Sequence, residues 1–116
     1  NTRIARFYKF TIEKQMGGLM EKRRPPVEMR TKLDLGYRIK GYSVVIFEIR
    51  PLWSNPDKTI EEPVAKATYV KSANVWKIYW QRSDLKWHRY DMDMEVDSFE
   101  EFLGIVDADE YCCFWG

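Results

Sequence analysis

The sequence predicts an α+β domain, an antiparallel meander of about five strands with one helix before it and one after it. Three observations carry this. Apolar residues recur at helical spacing only near the two ends of the chain. Between the ends, alternating and β-branched runs are separated by short turn signals. Those connections are too short for parallel crossovers, so successive strands should pair antiparallel. The 116 residues suit one domain, 1–116, made of a helix, a sheet, and an acidic C-terminal helix and tail.

Each element follows from a local pattern. Ile4, Tyr8, Ile12 and Met16 share one helical stripe with Phe7 beside it, which predicts a helix over about residues 2–16. Gly17-Gly18 should end or loosen it before Leu19-Met20. Lys22-Arg-Arg-Pro-Pro26 is a basic exit that cannot stay helical, because proline disfavours α conformation in the residue before it. Leu33, Leu35, Tyr37 and Ile39 then alternate with polar residues and glycine, as a first strand should. Residues 44–49 form a second, with Lys40-Gly41 as the turn between them. Pro51 should stop that strand and residues 53–63 read as a polar loop. Residues 64–71 and 75–82 are the third and fourth strands, joined by Ser72-Ala73-Asn74. Ser83-Asp84 turns into a shorter fifth strand over 86–90. Ser98-Phe-Glu-Glu101 is a capping box, with Ser98 at the N-cap and Glu101 reaching back. Phe99, Phe102, Leu103 and Val106 form one apolar face of the helix that follows, and the tail 111–116 is apolar enough to dock.

Composition narrows the function classes. No stretch is long and apolar enough to cross a bilayer, and Asn1-Thr-Arg-Ile opens no signal-peptide core, so the expectation is a cytoplasmic protein without a membrane partner. Cys112 and Cys113 are adjacent and cannot staple distant segments. With His88 as the one histidine, they do not make a structural zinc set, and no cofactor is implied. Charge is divided unevenly. All 19 Lys and Arg lie at or before Arg89, with 9 of the 18 carboxylates; the other 9 follow Tyr90 with no basic residue among them. A basic front and an acidic back suit either a nucleic-acid surface masked by its own tail or a sheet neutralised by the helix packed on it.

The run Glu21-Lys-Arg-Arg-Pro-Pro26, Leu33-Asp-Leu-Gly-Tyr-Arg-Ile39, Phe47-Glu-Ile-Arg-Pro51, Pro63-Val-Ala-Lys-Ala-Thr-Tyr-Val-Lys71, residues 76–80, Asp84-Leu-Lys-Trp-His-Arg-Tyr90 and Cys113-Phe-Trp-Gly116 is similar to a small bacterial family. That family is known as domain of unknown function number three thousand and twenty-four. The resemblance runs from about Glu21 to the end and fits the stretch before Met20 less closely. It implies a bacterial protein of accessory role, carried in some members on mobile gene cassettes. It implies no activity, cofactor or site residue.

The candidate chemistry centres on residues 75–90, which hold three of the five tryptophans. If Trp76 and Trp80 are buried, then Lys77, Tyr79, Lys86, His88 and Tyr90 line an exposed basic-aromatic strip. Bases stack on such rings while cations track phosphates. Trp87 and Arg89 of the same hairpin, with Arg50 and Trp53, complete the candidate binding set. The competing account is that cross-strand aromatic pairs here only stabilise the sheet. Lys22, Arg23, Arg24, Arg30 and Lys32 form a second basic run, read more simply as a linker facing the acidic helix. Asp34 and Glu48 on neighbouring strands, with Arg50 nearby, resemble a weak Mg²⁺ pair of nuclease type. A two-residue turn would put those carboxylates on opposite faces, and Arg50 cannot serve as a base. Asp91-Met-Asp-Met-Glu95 has alternating carboxylates but lacks the glycine and distal glutamate of a Ca²⁺ loop. The resulting expectation is a binding module, more readily a non-enzyme than an enzyme, for nucleic acid or another acidic partner. The alternatives are a protein-interaction or small-ligand domain, homodimeric in one version, and a metal-dependent nuclease.

Overall fold

The structure, a computed structural model, describes residues 5–82, 84–90, 95–111 and 113–115. Helix α1 spans Ala5–Arg23. Strands β1 (Asp34–Lys40), β2 (Ser43–Leu52), β3 (Asn55–Val70), β4 (Val75–Gln81) and β5 (Trp87–Arg89) follow, each antiparallel to its neighbour in that order. A short strand missing from the sequence reading, β6 (Glu95–Val96), pairs with β4 on the edge it shares with β5. Helix α2 (Phe99–Ala108) closes the order. The α+β architecture is as expected, with a helix at each end of an antiparallel sheet.

Both helices pack on one face of the sheet. Ile12, Met16 and Leu19 of α1, Leu35, Val44, Ile46, Val64, Ala65, Ala67, Trp76 and Ile78 of the strands, and Phe99, Phe102, Leu103 and Val106 of α2 share one hydrophobic core. Helix α1 does not end at Gly17-Gly18. Both glycines face open space and cost about 1 kcal/mol each relative to alanine in a helix. Burial of Leu19 one turn beyond Met16 offsets that cost, and Arg23 is fastened to α2 through Asp107. The helix stops before Pro25, with Arg24 N–H still bonded to the Met20 carbonyl at 2.7 Å.

The β2–β3 hairpin departs furthest from expectation. Pro51 does not stop β2, and residues 55–63 are strand, not loop. Pro51 pairs with Thr59 where β2 has already run past the end of β1, so its missing N–H leaves no ladder bond unmade. Pro63 sits at a bulge: Ile46 faces Ala65 and Phe47 faces Pro63, so Val64 is the extra residue. The bulge lets the consecutive Val64 and Ala65 both enter the core. Past Ile49, the last β2 residue paired with β1, the hairpin extends as a two-stranded arm flanked by neither β1 nor β4.

Helix α2 begins as read, with Ser98 Oγ accepting from Glu101 N–H at 3.1 Å. Glu101 accepts from the Ser98 hydroxyl rather than reaching back to its amide. At the other end Asp109 adopts left-handed backbone (φ 44°), and its carboxylate accepts from the amides of Phe114 and Trp115 at 3.0 and 2.9 Å. The Trp115 indole donates to the Val106 carbonyl at 2.8 Å, so the tail docks. The expected segments at 2–4, Ser83, 91–94 (with most of the alternating-carboxylate run) and Cys112 lie outside the described residues.

Candidate functional site

Alternation along each strand sends one set of side chains to the core and the other to the outer face, turned away from both helices. One row of register partners crosses five strands on that outer face: Arg38, Val45, Lys66, Tyr79 and Arg89. Three of its five members are cations. The densest part lies at β3, β4 and β5. The Lys66 ammonium sits over two rings, 4.8 Å from the Tyr79 centroid and 5.0 Å from that of Trp87. The Arg89 guanidinium is 5.8 Å from the Tyr79 centroid on the opposite side in register. Burial pushes the Lys66 ammonium below its ordinary pKa. Arg89 reaches Glu95 at 3.6 Å, while its Nε is buried with no acceptor among the described residues. Lys77, opposite Glu95 in register, borders the same patch.

The expected strip is therefore real in part and wrong in membership. Lys77 and Tyr79 belong to it, joined by Trp87 and Arg89. His88 and Tyr90 point the other way: His88 pairs with Trp80, and Tyr90 is buried in the core at 2 % exposure, its ring 5.0 Å from that of Phe114. The cause is the β4–β5 turn. A two-residue turn at Ser83-Asp84 would place His88 opposite Tyr79; the observed pairing of Tyr79 with Arg89 needs one residue more. Leu85 supplies it in left-handed backbone (φ 62°), with its N–H bonded to the Arg82 carbonyl at 2.8 Å. A one-residue change flips every side chain of the following strand. Lys86 follows that turn opposite Arg82, exposed, and its amide donates to Asp84 at 2.9 Å. His88 Nε2 lies 2.9 Å from the other Asp84 oxygen and helps tie the turn. The Asp84 carboxyl is held below its usual range, first by the Lys86 amide and then by His88.

Arg50 and Trp53 sit apart from this patch, on the β2–β3 arm. Arg50 bonds Glu48 at 3.0 Å and Glu62 at 2.7 Å. Trp53 is at the tip, 92 % exposed. Lys66, the residue between the rings, was not singled out from the sequence. Its signal is the Ala65-Lys66-Ala67-Thr68 alternation, where small residues face the core and polar ones face outward.

The acidic helix does not lie over the cationic patch. Asp107 of α2 accepts from Lys22 and Arg23 of α1, which hold its carboxyl below the usual range. Of the basic run, Lys22 and Arg23 thus face α2, Arg30 donates to the Pro25 carbonyl, and Arg24 makes a two-point contact with Asp34 at 2.8 and 2.9 Å. That contact pushes the Asp34 carboxyl down to about 2. The β1–β2 turn is two residues long but uses Gly41-Tyr42 (Gly41 φ 60°) in place of Lys40-Gly41. Asp34 then faces Ile49 and Glu48 faces Leu35, which puts the two carboxylates on opposite faces. Among the described residues no three His, Cys, Asp or Glu side chains are grouped to hold a metal. Nor is any helix among them long and apolar enough to cross a membrane.

A family model described as "Domain of unknown function (DUF3024)" matches residues 4–116, so the likeness extends over α1 as well as the sheet. No curated protein and no solved structure matches the chain.

Proposed function

The chain belongs to the DUF3024 family, and we propose that it is a non-enzymatic binding module whose outer sheet face engages single-stranded nucleic acid. One observation carries the reading: Lys66 over both Tyr79 and Trp87, with Arg89 beyond Tyr79, on the face away from both helices. A ligand that suits two rings flanked by cations has flat π surfaces and negative charge. Unpaired nucleotides have both. The α2 carboxylate Asp107 is occupied elsewhere, and the patch's charge is offset locally by Glu95 at Arg89. A bacterial accessory role is part of the same proposal and rests on the sequence resemblance alone.

The test is Trp fluorescence with a mixed-sequence single-stranded oligonucleotide at low and physiological salt. Saturable quenching that weakens with salt is expected. Lys77→Ala and Arg89→Ala should each lower the slope of log affinity against log salt by about one. Absent or salt-insensitive binding removes the proposal.

A second reading rests on Trp53, whose near-complete exposure at the arm tip suits a protein contact, in the simplest case with a second copy. Sedimentation velocity separates the two readings. Self-association lost in Trp53→Ser supports it, and a monomer at every concentration counts against the dimer version.

A further inference from the structure

Resting on the nucleic-acid proposal, we infer that the outer face takes two adjacent unpaired nucleotides, one base on Tyr79 and the next on Trp87, with Lys66 moving off the rings to the phosphodiester between them. Lys66 is opposite Tyr79 in register, and Trp87 is one step along the same face of β5 from Arg89, Tyr79's other partner. Because one ammonium lies 4.8 Å from one centroid and 5.0 Å from the other, the rings are within about 10 Å, the sum of those distances. Neighbouring nucleotides of a splayed single strand can reach both rings; bases two or three positions apart would have to loop out what lies between. Lys66 now fills the space over the rings, so a base and this ammonium cannot both be there.

The exchange is physically balanced. The ammonium leaves two weak cation–π contacts and gains a charge-assisted hydrogen bond to phosphate. It is also partly desolvated where it sits, which holds its pKa down, so a phosphate partner meets a cation that has already lost part of its water. Arg89, its guanidinium 5.8 Å from the Tyr79 centroid, is placed for the phosphate on the Tyr79 side. A duplex is excluded from this arrangement because paired bases are stacked on both faces and cannot lie on the rings.

The experiment uses a thymidine octamer and versions in which most bases are replaced by abasic sites. The pattern variants keep two adjacent bases, two bases separated by two abasic sites, one base, or none. Binding is read by Trp quenching and by competition against a labelled thymidine octamer. The adjacent pair should bind within about 3-fold of the full octamer, and separating the pair or removing one base should cost about 10-fold. Lys66→Ala should reduce the salt slope by about one and weaken the adjacent pair. A single base or a separated pair that binds as well as the adjacent pair overturns the inference. So does an all-abasic strand equal to the octamer, which would mean the face reads phosphate alone. If the unmodified octamer itself fails to bind at low salt, the face reading falls along with it; octamer binding without any preference for adjacency removes only the two-nucleotide register.

Discussion

The two faces of β4 carry similar residues in opposite roles. Inward, Trp76 is 3 % exposed and touches other rings, with Tyr69 and Phe99 both 5.2 Å away. Outward, Tyr79 touches cations, Lys66 on one side and Arg89 on the other. An aromatic among aromatics adds buried apolar area and stacking energy. An aromatic among cations keeps an electrostatic surface that a charged, planar ligand can use. A strand's content therefore does not assign its chemistry. Its face does, and the neighbouring turn decides the face.

Substitutions on either side should separate those roles. Trp76→Ala is expected to cost about 3–5 kcal/mol in urea denaturation, while Tyr79→Ala costs about 1 kcal/mol or less. Equal losses would mean Tyr79 is structural and the outer face is not free for ligand. Gly36→Ala tests where the outer face is tightly packed: a Cβ there would lie 2.8 Å from Phe47 Cε1. A loss of about 1–3 kcal/mol is expected, and a neutral result would show that the Phe47 ring shifts freely. Leu85→Gly removes left-handed strain from a side chain that is 77 % exposed, so a gain of about 1 kcal/mol in thermal or urea unfolding is expected. Oligonucleotide binding should not change, because the three-residue turn and its register are kept. Destabilisation would show that Leu85 packs against something.

The smallest effect concerns acid. Asp34 has a folded pKa depressed to about 2 by Arg24, against about 3.9 unfolded. Its stabilising contribution is complete above the unfolded value and fades as pH falls from about 4 toward 2. Asp34→Asn should be less stable than wild type at neutral pH, and the two should converge in that window. Parallel curves from pH 4 to 2 would show that the ion pair contributes nothing measurable, as exposed pairs often do.

The two hairpin turns show how much of the site was legible in advance. At β1–β2 the turn moved along by one residue, from Lys40-Gly41 to Gly41-Tyr42, and stayed two residues long. The register changed by two and every side chain kept its expected face, so the opposed carboxylates of Asp34 and Glu48 could be anticipated. At β4–β5 the turn gained Leu85, the register changed by one, and the faces of β5 exchanged. Nothing in Ser83-Asp84-Leu85 announces a left-handed leucine, which is an uncommon choice there. Lys77 and Tyr79 were thus placed correctly, while Lys86 and His88 stood where Trp87 and Arg89 belong, and Tyr90 turned into the core. The arm was misread for a related reason. Prolines at 51, 56 and 63 argue against strand when each is taken alone. They are tolerated because one lies beyond β1, one lies near the tip and one lies at a bulge.

The sequence by itself determined the order of the two helices and strands β1–β5, the α+β class, the capped start of α2 and the apolar faces that cover the sheet. Those depend on periodicity and nearest-neighbour chemistry, which are local. Tertiary structure decided that α1 continues through two glycines, because only packing against the sheet offsets their cost. It decided that the acidic helix neutralises the end of α1 and leaves the cations of the outer face alone. It placed Lys66 over two rings from other strands, because register brings together residues that sequence separation keeps apart.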